Sequence, residues 1–268
     1  MSALPDPVLL DVSPEGVAIL SLNRPAKRNA LDEIMIAALA EALETLKGAD
    51  HVRIVFLRGA GHMFCAGADI EMMRRQGAHT LHENEEDALA FTHVLKGLHD
   101  LPQFTVALVH GAALGGGGGL VAACDYAVAT RDSQFRFFEV RFGIIPAMIS
   151  PYVIEAIGPR AARALFASAL PFDALRAHQL GLVQEVVEDE AGLESALSKL
   201  AGLALENAPG AVSAAKQLAR DIAGHPIDER IVKETAKRIA AQRATEEARE
   251  GLGAFLEKRR PAWDRRQA

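Results

Sequence analysis

Five consecutive glycines, Gly115 to Gly119, stand between an apolar run, Val106 to Val109, and a run of small apolar residues, Leu120 to Cys124. Glycine loses more backbone freedom on folding than any other residue, and inside a helix it costs about 1 kcal/mol relative to alanine. The run therefore answers to a need: positive φ angles, close backbone packing, or a ligand against bare peptide N–H groups. The apolar residues before it read as a buried strand, and the small residues after it as a helix. A strand feeding a helix through glycine leaves unpaired N–H donors at the helix start, where partial positive charge gathers. An anion, or an oxygen that becomes anionic during a reaction, suits such a place. Nucleotide motifs do not fit: GxGxxG needs a third glycine where Leu120 or Val121 stands, and no Lys-Ser or Lys-Thr follows. An oxyanion site or a structural glycine run remains.

The 268 residues suffice for one large domain or a domain with an appendage. Half are hydrophobic, enough for a sizeable core. A formal net charge of −6 gives no electrostatic case for nucleic acid. No apolar run approaches the roughly 20 residues of a membrane span, and the first residues lack the pattern of a signal peptide. Cys65 and Cys124 sit in apolar surroundings without CxxC spacing, as free thiols in a reducing compartment do. The expectation is a soluble, cytoplasmic globular protein.

Strand-like runs at Val17 to Leu22, Arg53 to Leu57, Gln103 to Val109 and Tyr126 to Ala129 alternate with helical patterns, which predicts an α/β core. Asn29 is placed to cap the first helix, and Asp69 the second. Before Asp69 come four small residues, Cys65 to Ala68, which leave peptide N–H groups open to a ligand. The polar stretch Arg74 to Asp87 reads as a loop. His79 and His82 within it lack further ligands, so solvated histidines are expected and no metal site. Glu139 is the one acid in the apolar or basic stretch from Phe135 to Val153. Either it pairs with Arg136 or Arg141, or it has a task. Asp173 caps a short helix that ends at Gly181. Beyond residue 190 the pattern is helical only, which sets a core at 1–195 and a helical, oligomer-forming region at 196–268.

Three stretches together resemble the enoyl-CoA hydratase/isomerase (crotonase) family: FCAGADI at 64–70, HGAALGGGGGLVAACD at 110–125, and Phe135 through Gly143 to Pro146. LNRPAKRNAL near the start and EGLGAFLEKRRPAW near the end match too. Within the family, EVRFGIIPAMISPYV and FDALRAHQLGLVQEVV are most like the bacterial methylglutaconyl-CoA hydratases. The resemblance implies a spiral of ββα repeats with a helical C-terminal part, assembled as a homotrimer or a dimer of trimers. It implies an acyl-CoA substrate, with coenzyme A as part of that substrate and no separate cofactor. The backbone N–H groups of Ala68 and Gly116 would hold the thioester oxygen. Lys27, Arg28, Ala30, Ala66, Asp69, Ile70, Leu114 and Gly115 match the surface that lines the ligand. Phe255 and Lys258 match a C-terminal helix that reaches an adenine site, on the same or a neighbouring subunit.

One departure bears on the chemistry. The two-acid hydratases of the family carry a glutamate where this chain has Gly119, while their second acid is kept as Glu139. The expected reaction is hydration of a 2-enoyl-CoA, with 3-methylglutaconyl-CoA as the leading substrate. The alternatives are a Δ3,Δ2 double-bond isomerase with Glu139 as single base, and a binding protein without catalysis. Gly119 is expected to leave room for a water or a branched acyl chain. Arg74, Arg75, Arg136 and Arg141 are the candidates to hold a distal carboxylate.

Overall fold

Four successive stretches of chain repeat one plan in the computed structural model, which describes residues 6–266. A long strand enters a main sheet, a short extended piece enters a second sheet, and a helix returns. β1 (Val8–Val12) leads in as an antiparallel partner of β2 (Val17–Leu22). The first repeat is β2, Leu31 and α1 (Glu33–Lys47). The second is β3 (Ile54–Gly59), Cys65 to Ala68, then α2 (Ile70–Gln76) and α3 (Leu81–Asp100). The third is β4 (Phe104–Val109), β5 (Ala112–Leu114) and α4 (Gly116–Ala123). The fourth is β6 (Tyr126–Thr130), β7 (Gln134–Arg136), a 3-10 turn at Glu139–Phe142, and α5 (Ser150–Ser168). β8 (Phe172–Asp173), α6 (Ala174–Leu180) and β9 (Glu185–Val187) close it. The main sheet runs β1-β2-β3-β4-β6-β9, parallel apart from β1. The second holds β5-β7-β8, and single bridges at Cys65–Ala113 and Leu31–Ala68 extend it. This is a spiral of ββα repeats.

Side-chain alternation divides the core. Val55, Leu57, Ala107, Val109, Ala127 and Ala129 face α1, α3, α4 and α5. Their neighbours Ile54, Phe56, Val106, Leu108 and Val128 face α7 (Glu190–Glu206) through Leu193, Ala196 and Leu200. Both faces of these strands are covered, which is why they read as unbroken apolar runs. α7 crosses the expected boundary between 195 and 196 and packs on this sheet. The helices that stand off the sheet are α8 (Pro209–Ile222), α9 (Glu229–Arg243) and α10 (Glu246–Leu256). Lys216 ties α8 to the core: its Nζ donates to Leu101 O at 2.7 Å and Gln103 O at 2.5 Å and pairs with Asp125.

Three local expectations change. Asp32 caps α1 by accepting from the Met35 N–H, and Asn29 is buried instead. The stretch from Arg74 to Asp87 is largely helical, the end of α2 and the start of α3. Its polar surface is an exposed helix face, and a capping box between Thr80 and Glu83 starts α3. The helical pattern expected beyond residue 190 is broken at Ala244, where Thr245 caps α10. Asp69 and Asp173 cap as expected.

Candidate active site

Residues 65 to 69 form an extended piece between two neighbours. On one side Cys65 exchanges hydrogen bonds with β5, donating to Ala112 O and accepting from the Leu114 N–H, each at 3.0 Å. On the other side Ala66 donates to Arg28 O, Gly67 accepts from the Leu31 N–H, and Asp69 donates to Leu31 O, at 2.8 to 3.0 Å. Successive peptide groups in an extended chain point to opposite sides. The Ala68 N–H therefore points away from Leu31, towards the side where β5 has already turned into α4. No backbone oxygen among the described residues accepts from it. The Gly116 N–H opens α4 and is likewise without a backbone acceptor among them, as expected for the first residue of a helix. Both residues line one cavity of about 820 Å³.

The glycines serve this junction by close approach. Gly115, at φ 48° and ψ −116°, turns the chain from β5 into α4 in a conformation that side chains disfavour. A Cβ on Gly117 would lie 2.8 Å from Cys65, and one on Gly119 only 2.2 Å from Ile149 Cγ2. The room expected at Gly119 is therefore absent. A methyl group of Ile149 fills it, so no longer side chain fits there without movement of that residue.

Glu139 stands beside the donors. A Cβ built on Gly115 would meet its Oε1 at 3.1 Å. Its Oε2 is buried and finds no hydrogen-bond partner among the described residues. Neither expected arginine pairs with it: Arg136 Nε donates to Ala169 O at 2.7 Å instead, and Arg141 is exposed. Burial raises the carboxyl above its ordinary range, and backbone N–H bonds at Glu139 and Phe138 offset part of the rise. A half-buried carboxylate without a cationic partner costs stability, and a cleft that keeps one points to a use.

The structure brings Lys27, Arg28, Ala30, Ala66, Ala68, Asp69, Ile70, Leu114, Gly115, Gly116 and Glu139 to this one cavity. Asp69 is at the same time committed to capping α2, with bonds of 2.9 and 3.1 Å to the Glu71 and Met72 N–H groups. Phe255 and Lys258 do not line it; Phe255, on α10, is 80% exposed. The rest of the lining, which sequence reasoning did not assign, includes an apolar set: Phe91, Phe138, Phe142, Ile145, Met148 and Ile149. Five of them come from the continuous stretch 138–149, and Phe91 joins them from α3. Arg75 forks onto Glu33 with bonds of 2.8 and 2.9 Å, and neither it nor Arg74, Arg136 or Arg141 lines the cavity. His79 lies 2.9 Å from Asp87.

The family model for enoyl-CoA hydratase/isomerase matches residues 13–266. The chain belongs to the enoyl-CoA hydratase/isomerase family. Two relatives show how far the likeness extends. The 2,3-dehydroadipyl-CoA hydratase of Escherichia coli is 32% identical, over 92% of this chain and 94% of the relative. The crotonyl-CoA hydratase of Syntrophomonas wolfei is also 32% identical over the same shares. A solved enoyl-CoA hydratase from Shewanella pealeana superposes with a TM-score of 0.92 at 37% identity, covering 96% of both chains. The spiral core with its helical C-terminal part is thus the crotonase fold. For an enoyl-CoA hydratase/isomerase the notable feature of this chain is the close packing of Gly119 on Ile149, beside a cavity that Glu139 lines.

Proposed function

We propose that this chain hydrates a 2-enoyl-CoA with an apolar acyl group, using Glu139 as its one acid–base group. The observation that carries the reading is the meeting of two open N–H groups, at Ala68 and Gly116, with a half-buried carboxylate, at Glu139, in a single cavity. The thioester oxygen would accept from both N–H groups. Glu139 takes a proton from water as the water oxygen bonds to C3. The C2=C3 electron pair moves towards the carbonyl, and the resulting enolate oxygen carries the charge between the two donors. Glu139 then gives its proton to C2, and water has been added across the bond. The raised proton affinity of Glu139 suits a group that must both take and return a proton. Lys27 and Arg28 lie at the cavity mouth, where the phosphates of coenzyme A would find a countercharge.

Relatives of equal identity carry names for a dicarboxylic and a monocarboxylic substrate, so likeness does not select the acyl group. The lining supports an apolar one: Phe142, Ile145 and Met148 line the cavity, and none of the four candidate arginines does. This favours crotonyl-CoA or a branched aliphatic enoyl-CoA over 3-methylglutaconyl-CoA. A second reading, double-bond shift between C3 and C2, draws support from Ile149, which occupies the place of a second acid. Turnover of crotonyl-CoA, 3-methylglutaconyl-CoA and a 3-enoyl-CoA in oxygen-labelled water separates these. Label at C3, with crotonyl-CoA the best substrate, supports the proposal; double-bond movement without label supports the isomerase. Binding without turnover above that of Glu139→Gln leaves a non-catalytic binding protein.

A homotrimer or hexamer in the cytoplasm completes the reading. Leu252, Phe255 and Leu256 of α10 are exposed apolar residues that a neighbouring copy would cover, and Phe255 and Lys258 could meet a nucleotide only in another subunit's cavity. Light scattering at working concentration would contradict this with a monomer mass.

A further inference from the structure

Asn29 lies 39 positions before Ala68 in the chain and does not line the cavity, yet it bonds both to the turn that pairs with residues 66 to 69 and to the loop that leads into them. It is fully buried and sits at φ 56°, a left-handed conformation that asparagine tolerates better than most residues. Its Nδ2 lies 2.9 Å from Ala60 O, 3.0 Å from Met63 O and 3.1 Å from Phe64 O. Its Oδ1 accepts from the Arg24 N–H at 2.9 Å. Its own carbonyl accepts from the Cys65 thiol at 3.1 Å. Arg28, just before it, and Leu31, two residues after it, hold Ala66, Gly67 and Asp69 through the three backbone bonds described above. The amide of one side chain thus clamps the 60–64 loop to the 24–31 turn, and that turn sets the register of residues 66 to 69.

We propose that Asn29 is a positioning residue for the oxyanion site: it fixes the Ala68 N–H relative to the Gly116 N–H. The inference rests on the reading of those two groups as donors to a thioester oxygen. Gly116 needs no such clamp, because α4 is held by its glycine contacts with Leu31, Cys65 and Ile149. Ala68 stands on an irregular segment with no helix beneath it, and two donors act together only when both meet one oxygen. Loss of the clamp frees one donor and leaves the other in place.

The test compares Asn29→Gly, which keeps the left-handed backbone and deletes the amide, with Asn29→Asp, which keeps the acceptor for Arg24 and removes the donor to the three carbonyls. Leu200→Ala, on the face of α7 that packs against the main sheet, serves as a control for lost stability alone. Each protein is saturated with butyryl-CoA bearing an isotopically labelled thioester carbonyl, and the infrared stretch of the bound carbonyl is recorded. Steady-state turnover of crotonyl-CoA is measured alongside, per folded molecule. In the unaltered protein and in Leu200→Ala the stretch moves to lower frequency on binding. In both Asn29 variants that shift shrinks, and kcat falls about 10- to 100-fold with KM changed far less. Asn29 variants with the full shift and unaltered kcat overturn the proposal, as does an equal kcat loss in Leu200→Ala. No shift in the unaltered protein overturns the oxyanion reading itself, and the role of Asn29 with it.

Discussion

The two walls of the cavity face the same ligand and are built in different ways. The donor wall is backbone. Ala68 and Gly116 present peptide N–H groups, and around them hardly a methyl group can be added: Gly117 touches Cys65 and Gly119 touches Ile149. The rest of the lining is side chain. Glu139 stands on a one-turn 3-10 element, and Phe142 and Ile145 beyond it are 55% and 72% exposed. A wall of backbone fixes where charge is stabilised, and a substitution alters it only by moving the backbone itself. A wall of side chains sets which acyl group fits and can change without disturbing the donors. Chemistry and specificity are therefore carried by separate parts of one pocket.

The largest effect that sharpens this contrast is at Glu139. Glu139→Gln should lower kcat for crotonyl-CoA about 10²- to 10⁴-fold while the affinity for a saturated acyl-CoA, read by calorimetry, stays close to that of the parent. A loss of affinity equal to the loss of rate would place Glu139 in binding. Next comes the donor wall. Gly119→Glu should destabilise by about 1–3 kcal/mol in urea unfolding, because its Cβ meets Ile149. Combining it with Ile149→Gly, which removes both the Cγ2 at 2.2 Å and the Cβ at 2.8 Å, should recover part of that loss. Failure of the pair to do so would mean that something besides Ile149 closes the position.

Smaller effects belong to the side-chain wall. Ile145→Ala should leave the rate on crotonyl-CoA within a few-fold and improve longer acyl chains up to about tenfold in kcat/KM. The smallest is a pH effect. Burial raises the folded proton affinity of Glu139 above its ordinary value of 4.5. Between that value and the raised one the native state holds more protons than the unfolded state, so stability falls as pH rises through this window. Glu139→Gln should remove that slope and gain about 0.5–2 kcal/mol at neutral pH. The acid limb of kcat/KM should lie above pH 4.5 in the parent, since Glu139 must be ionised to accept a proton from water.

Features written in a few adjacent residues were legible in the sequence. Asp69 and Asp173 read as caps because a cap bonds to an N–H two or three positions on. The glycine run announced open donors because its cause, a strand turning into a helix, is local. Asn29 was misread because the same amide suits a helix cap and a buried clamp, and its three carbonyl partners lie more than 30 positions away. The polar start of α3 looked like a loop since only Phe91, Val94, Leu95 and Leu98 of that helix are buried. That Gly119 lacks an acid was plain; that Ile149 fills the place depends on a contact 30 residues distant, which periodicity does not reveal.

The central claim is that two backbone donors and one carboxylate act on a single thioester. A crystal structure of Glu139→Gln with crotonyl-CoA tests it most directly. The account predicts the thioester oxygen within about 3.2 Å of both the Ala68 and Gly116 nitrogens, with residue 139 facing C2 and C3. A thioester oxygen beyond hydrogen-bond distance of both nitrogens, or an acyl chain turned away from residue 139, would contradict it.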